Sequence, residues 1–321
     1  MMLKPIDVSV VVCAYTSDRW QELSAAVDSL VAQGEQPREI IVVTDHSGLL
    51  HKRCLRRFAD VAKVLANDEL PGLSGARNTG VRAAGGDVVA FLDDDAVAAP
   101  DWLAELTAAY DDGVAGVGGS SVPVWPRERP TWHPPEFGWV VGCSYRGLPV
   151  EPAPVRNLIG CNMSMRRELF DAVGGFTHGI GRIGTIPLGC EETEWCIRVR
   201  QRFPELEFLY APRAVVQHRV ASGRDRWQYF MRRCWAEGRS KARVSQLVGA
   251  GDALRSEKTY ARRVLPQGIV DGLTGGVQGD TAGFARAAAI AAGVSITGAG
   301  YLRERLIDIR PRQSVGATRT G

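Results

Sequence analysis

The sequence contains no Cys-x-x-Cys pair among its seven cysteines. An odd number cannot pair wholly within one chain, so neither a disulfide framework nor a thiolate zinc site is indicated, and reduced thiols are expected. No stretch reads as 18 or more strongly apolar residues, the length of a membrane span. The N-terminus, MMLKPIDVSVVV, lacks a cationic segment followed by a long apolar stretch and a small-residue cleavage site, and a cytoplasmic protein is expected. Hydrophobic residues at 45% and charged residues at 23% exclude disordered and collagen-like classes. What remains is a globular chain of 321 residues, long enough for one large domain with an appendage.

The net charge of +3 hides an asymmetry. From Arg224 onward 17 Lys and Arg face 8 Asp and Glu, giving +9 and leaving −6 for the first 223 residues. A basic part of this kind suits nucleic acid, anionic lipid or a phosphorylated substrate, and charge alone does not choose. The division predicts a catalytic domain over residues 1–224 and a basic, mainly helical extension over 225–321.

Residues 8–13, 39–43, 61–65 and 87–92 are short, β-branched and nearly unbroken apolar runs, as expected of strands buried on both faces. A helical pattern separates the first two: Trp20, Leu23, Val27, Leu30 and Val31 share one face, with Asp18 and Gln21 spaced as a capping box. Alternating strands and helices predict a mostly parallel α/β sheet with right-handed crossovers, whose ligands gather beyond the carboxyl ends of the strands. Residues 122–155 break the pattern with three tryptophans (Trp125, Trp132, Trp139) among many prolines, read as a functional loop or linker. Its tryptophans suit either stacking on sugar rings or packing within the loop.

The fourth strand runs into Asp93, Asp94 and Asp95. Adjacent carboxylates repel unless a cation lies among them. Strand alternation would project Asp93 and Asp95 on one side and Asp94 on the other. Two carboxylates so spaced suit a hard divalent cation, Mn²⁺ or Mg²⁺, which keeps positions open for phosphate oxygens. An acidic loop complementing the helix that follows is the plainer alternative.

Five blocks in order, VSVVVCAYTSD, EIIVVTDHS, LSGARNTGVRAAGGDVVAFLDDDA, GCNMSMRRELFDAVGGF and GCEETEWCIR, resemble the nucleotide-sugar glycosyltransferases of the large inverting family 2, with the GT-A fold. The resemblance covers roughly residues 7–220. It implies donor contacts at the end of the first strand (Ala14, Tyr15, Thr16), an aspartate at the uracil edge (Asp45), Arg77 near base or phosphate, and Asp93 and Asp94 at the diphosphate and ribose. Asp95 resembles the metal ligand, joined by Asp93 and by His218, which matches a late histidine of some members. Thr44 and Asp45 stand where the family commonly has two aspartates, so the resemblance favours a UDP-sugar without fixing the base. Glu192 occupies the position of the family's catalytic base, one methylene longer than the usual aspartate, with Glu191 as the second candidate. Asn162 falls in the acceptor block as a hydrogen-bond partner for a sugar hydroxyl. WVVGCSYRGLP and PVRNLIGCNMS look like members acting on dolichyl- or polyprenyl-linked sugars. The basic part, including Arg224, Arg226, Arg232, Arg233, Arg239, Lys241 and Arg243, suits either peripheral contact with anionic lipid or a lipid phosphate, with no nucleic acid expected, or a plain solvated helix face.

Two other enzyme readings and a binding reading compete. FLDDDAV also fits the strand-Asp-x-Asp pattern of haloacid dehalogenase phosphatases, but that motif belongs on a first strand and this one lies on about the fourth. GVAGVGGS, residues 113–120, lacks the helix that a dinucleotide-binding turn requires. A non-catalytic nucleotide-sugar-binding module is disfavoured by carboxylates at both 191 and 192.

Overall fold

The computed structural model describes residues 6–181, 189–249, 251 and 259–308. Nine strands, β1 (Val8–Ala14), β2 (Glu39–Thr44), β3 (Lys63–Ala66), β4 (Val88–Asp93), β5 (Ala96–Ala98), β6 (Val114–Val124), β7 (Ala153–Val155), β8 (Asn162–Arg166) and β9 (Glu207–Arg219), form one mixed sheet. Its order is β3-β2-β1-β4-β8-β6-β9-β5, with β7 paired to β9. The first four strands are mutually parallel, as their apolar runs predict. β8 runs antiparallel between β4 and β6.

Strand alternation sorts the core into two layers. Val10 and Val12 pack with α1 (Trp20–Val31), α2 (Gly48–Phe58) and α4 (Trp102–Thr107), while Val11 and Phe91 pack with α3 (Leu73–Ala83), α5 (Glu168–Val173) and α6 (Glu191–Arg202). Gly80 lets α3 lie close to β1: a Cβ there would stand 2.5 Å from Val11 Cγ1. The capping box expected of Asp18 and Gln21 is not formed. A 3₁₀ turn over Ser17–Arg19 precedes α1, and Thr16 Oγ1 accepts from Asp18 N at 3.2 Å. Val31, expected on the buried face, is 41% exposed because the stripe is continued by Ala26 and Leu30.

Residues 122–155 are neither linker nor open loop. They contain the end of β6, a 3₁₀ helix over Pro135–Val141 and β7. Phe137, Val140 and Val141 join Phe230, Cys234, Leu265 and Ile290 in a third hydrophobic cluster, flanked by Trp125, Trp132 and Trp139. That cluster docks α7 (Trp227–Val248), α8 (Leu265–Val277) and α9 (Ala282–Asp308) onto the sheet domain.

Helix α9 corrects one expectation. Over Ala282–Ile307 it is long and apolar enough to cross a membrane, with mean hydropathy 1.3 in its best window, although alanine and glycine rather than large side chains supply it. In the fold it lies along α7: Glu304, 8% exposed, accepts from Arg239 at 2.7 Å and Arg243 at 2.8 Å. Two arginines of the basic part are thereby committed within the chain. All seven cysteines are unpaired, as expected.

Candidate active site

From β1 the chain places β2 and β3 on one side and β4 on the other, so the carboxyl ends of β1 and β4 part at a topological switch point. Cys13 pairs in register with Asp93 there. A cavity of about 810 Å³ opens at this point and extends to the C-terminal helices. Its wall includes Ala14, Tyr15, Asp45, Arg77, the three aspartates, Glu191, Glu192 and His218. Thr16 and Asn162 do not line it.

The triplet departs from its expected geometry. β4 ends at Asp93, and Asp94 and Asp95 form a turn into β5. Arg19 Nη1 therefore reaches both Asp94, at 3.0 Å, and Asp95, at 2.8 Å, instead of the two diverging. The turn still brings Asp93 and Asp95 together. Strand β5 pairs Ala96 with His218, and Arg219 N donates to Asp95 O, so the ladder delivers the His218 ring to the triplet. His218 Nε2 lies 3.2 Å from Asp95 Oδ1, and one donor atom each from Asp93, Asp95 and His218 fall within 4.8 Å of one another. Gly142, at φ +82°, admits the ring: a Cβ would stand 3.2 Å from His218 Cε1.

Burial alone would raise the Asp95 carboxyl, but the charge and hydrogen bond of His218, with Arg19, hold it well below the usual carboxylate range. Burial would conversely lower His218, and Asp95 lifts it to about 10. The pair is ionic. Two carboxylates and one imidazole at this spacing fit Mn²⁺, and Mg²⁺ through the oxygens, with His218 giving up its ion-pair proton to serve as a neutral ligand.

Asp45 closes the other end. Its Oδ1 accepts from Asn67 Nδ2 at 2.7 Å and its Oδ2 from Gly72 N at 2.9 Å, with His46 Nδ1 at 2.8 Å from Oδ1. Arg77 is 2% exposed and is spent inside the protein: it donates to Glu191 at 2.7 Å, to Gly160 O at 2.8 Å and to Asp93 at 3.4 Å. It braces the acidic groups rather than standing free for a base or phosphate. Glu191 is thus paired. Glu192 forms no ion pair among the described residues and faces the cavity. Burial, then the charge of Glu191, pushes its carboxyl up to about 8 against the opposing pull of Arg77.

Asn162 is corrected outright. It is wholly buried, accepts from Trp102 Nε1 at 2.8 Å and donates to Ser120 O and Ala214 O at 2.8 and 2.9 Å. Nothing of its amide is left for a sugar. Of the tryptophans, Trp125 and Trp132 pack on His133, and Trp132 also on Phe230, while Trp139 reaches the cavity.

Residues 9–174 match the profile of glycosyl transferase family 2. A glucosyl-dolichyl phosphate glucuronosyltransferase of Haloferax volcanii is 36% identical over 271 residues, covering 83% of this chain and 85% of that protein. The chain belongs to glycosyl transferase family 2. The sheet order and crevice of this glycosyltransferase are those of the GT-A fold. A mannosyltransferase from Pyrobaculum calidifontis, solved with GDP-Man and Mn²⁺, superposes with TM-score 0.57 over 92% of this chain and 87% of that one, at 18% identity. GalNAc-T7, solved with UDP, GalNAc and Mn²⁺, gives TM-score 0.53 at 20% identity over 75% of this chain and 48% of that one.

Two site residues of the glycosyltransferase escaped the sequence reading. Arg19 had a signal: a cation opening a helix opposes the helix dipole and calls for a local anion. Asn67, which fixes Asp45 from the end of β3, had none, because only the sheet brings residues 45 and 67 together.

Proposed function

We propose that the protein transfers a sugar, with inversion, from a nucleoside-diphosphate donor, UDP preferred, to a hydroxyl of a lipid-phosphate-linked sugar. The observation that carries this reading is the division of labour between adjacent carboxylates: Arg77 neutralises Glu191, while Glu192 faces the cavity with no ion pair among the described residues. A raised carboxyl next to an acceptor hydroxyl is suited to take its proton as the oxygen attacks. A carboxylate so placed suits a single displacement, in which the acceptor oxygen bonds to the sugar carbon as the nucleotide departs. Asp45 and Tyr15 are the residues to hold the base and ribose, Asp94 the ribose side of the diphosphate. A divalent cation, Mn²⁺ or Mg²⁺, held by Asp93, Asp95 and His218, would supply positive charge against the departing diphosphate. Arg19 and Arg224 add fixed charge at the same rim.

The acceptor class rests on the Haloferax relative, whose name specifies a glucosyl-dolichyl phosphate, and on similarity spanning most of both chains. We read residues to about 224 as the catalytic core and the helices beyond as the acceptor side. The α8–α9 hairpin exposes Val270, Leu273, Val277 and Phe284, a surface suited to peripheral contact with a bilayer on the cytoplasmic side.

The test is nucleotide release from UDP- and GDP-sugars with Mn²⁺ or Mg²⁺, with and without a short-chain prenyl-phosphate-linked glucose. Acceptor-stimulated release that Glu192→Gln abolishes while donor binding persists is the expected result. Release unaffected by Glu192→Gln removes the base assignment. Liposome flotation tests the membrane contact.

A further inference from the structure

Past Glu192 the cavity continues onto the C-terminal helices, and its wall turns basic and then apolar. Arg233 and Lys241, one turn to either side of Glu237 on α7, both reach its carboxylate, at 2.8 and 3.1 Å. Burial would raise Glu237, but the two cations outweigh it and hold it down to about 2. Cys190 Sγ lies 3.5 Å from Glu237 Oε1, so this cluster abuts the residue that leads directly into Glu191 and Glu192. The Arg233 guanidinium also sits 5.7 Å from the centre of the Trp139 ring. All of these side chains line the cavity.

An ion cluster in a cavity wall is weak evidence of a purely stabilising role, because desolvation offsets much of its attraction. Among the described residues Arg233 spends Nη1 on Glu237, which leaves N–H donors of its planar fork for an anion in the cavity. Beyond the cluster the lining includes Tyr260, Val264, Leu265 and Val294, from the segment leading into α8, from its first residue and from α9, with Thr259, Thr297 and Tyr301 among them. Resting on the acceptor class proposed above, we propose that Arg233, with Lys241 beside it, seats the phosphate of the lipid-linked acceptor. Its sugar then lies between phosphate and Glu192, and the first lipid units lie on Tyr260, Val264, Leu265 and Val294. The order of the wall, carboxylate base, cations and apolar surface, matches the order of hydroxyl, phosphate and lipid along such a molecule. A carboxylate on the donor sugar would offer the same anionic chemistry, and the experiment separates the two.

The double variant Arg233→Gln/Glu237→Gln removes the pair and leaves the net charge of the cluster unchanged, while Lys241 gives up its contact with the Glu237 carboxylate. Nucleotide release to water from the donor alone serves as the folding and donor-site control, and it should stay at the wild-type level. The KM for citronellyl-phosphate-linked glucose should rise roughly 10- to 100-fold, the worth of hydrogen bonds to a charged group, while that for citronellyl glucoside, which lacks the phosphate, should not move. Free citronellyl phosphate should inhibit the wild type and not the variant. Equal changes with both acceptors, or none with the phosphorylated one, overturn the assignment. A defect confined to a uronic-acid donor and absent with a neutral hexose donor overturns it in favour of the donor carboxylate. A wild type that transfers to a soluble glycan but not to the phosphorylated acceptor overturns the underlying acceptor reading instead.

Discussion

The pH dependence of transfer follows from the surroundings of Glu192. Its carboxyl is raised to about 8, first by burial and then by Glu191, so near pH 7 only about a tenth of it is ionised and near pH 6 about a hundredth. A base must be ionised to accept a proton. Under acceptor-saturated conditions transfer should therefore climb about tenfold per pH unit below 8 and level off above it. The Glu191→Gln variant removes the second cause of the shift and frees Arg77 from its 2.7 Å pair. Both effects favour ionised Glu192, so the acid limb should move to lower pH while the plateau is retained. The folding contribution has the opposite sense to an ordinary paired carboxylate. Because the folded-state value is raised, the folded protein binds more protons than the unfolded chain between about 4.5 and 8, and this group's contribution to stability declines as pH rises through that window. The assay is initial-rate nucleotide release with the prenyl-phosphate-linked acceptor from pH 5.5 to 9.5, with thermal unfolding over the same range. A flat profile between pH 6 and 8.5, or a limb that moves to higher pH in Glu191→Gln, refutes the assignment of the base.

Asp95→Ala should lower metal-stimulated turnover by roughly 100-fold or more, since it removes the carboxylate shared by the cation cluster, and a Mn²⁺ titration of nucleotide release measures it. Arg19→Gln should reduce the Mn²⁺ needed for half-maximal rate about five- to tenfold, because a tethered cation no longer competes for Asp95; a higher requirement would show instead that Arg19 assembles the site. Asn162→Ala leaves the buried Trp102 indole N–H and two carbonyls without their partner, costing about 3 kcal/mol in urea unfolding, with the donor KM of the folded fraction unchanged.

Most of the fold was legible because β1, β2 and β4 are unbroken apolar runs, and a strand buried on both faces leaves few other ways to read such a run. For the 122–155 segment a loop at the site was legible, since part of it lines the cavity, but its packing was not. Its prolines and tryptophans signal irregular backbone, and nothing local shows that Phe137 and Val140 will meet Phe230 and Ile290. Helix α9 was legible as part of the helical extension, but the length of its apolar stretch was not, since that character comes from small residues whose use is close packing. A Cβ on Gly293 would stand 2.4 Å from Phe137 Cε1, and one on Gly300 2.4 Å from Trp235 O.

The site was legible where a carboxylate has its own motif, and illegible where a role depends on which group takes the partner. Spacing pointed to Asp93 and Asp95 as a pair, and the family resemblance to Asp95 and Glu192; that Arg77 would pair with Glu191 had no such signal, because residues 77 and 191 are 114 positions apart. Backbone strain supplies an independent sign that these carboxylates are aimed. Among the described residues the non-glycine positions with positive φ are His46, at +50°, and Cys190, at +76°, the first directly after Asp45 and the second directly before Glu191. Each such residue costs on the order of 1 kcal/mol or more, and persists where its surroundings over-determine it. His46 is exposed, whereas Cys190 also packs with Ile197, Val244 and Val248. Each adjoins a carboxylate that lines the cavity, Asp45 in one case and Glu191 in the other, so on the function proposed above the strain falls where a transfer reaction needs its groups fixed before substrate arrives.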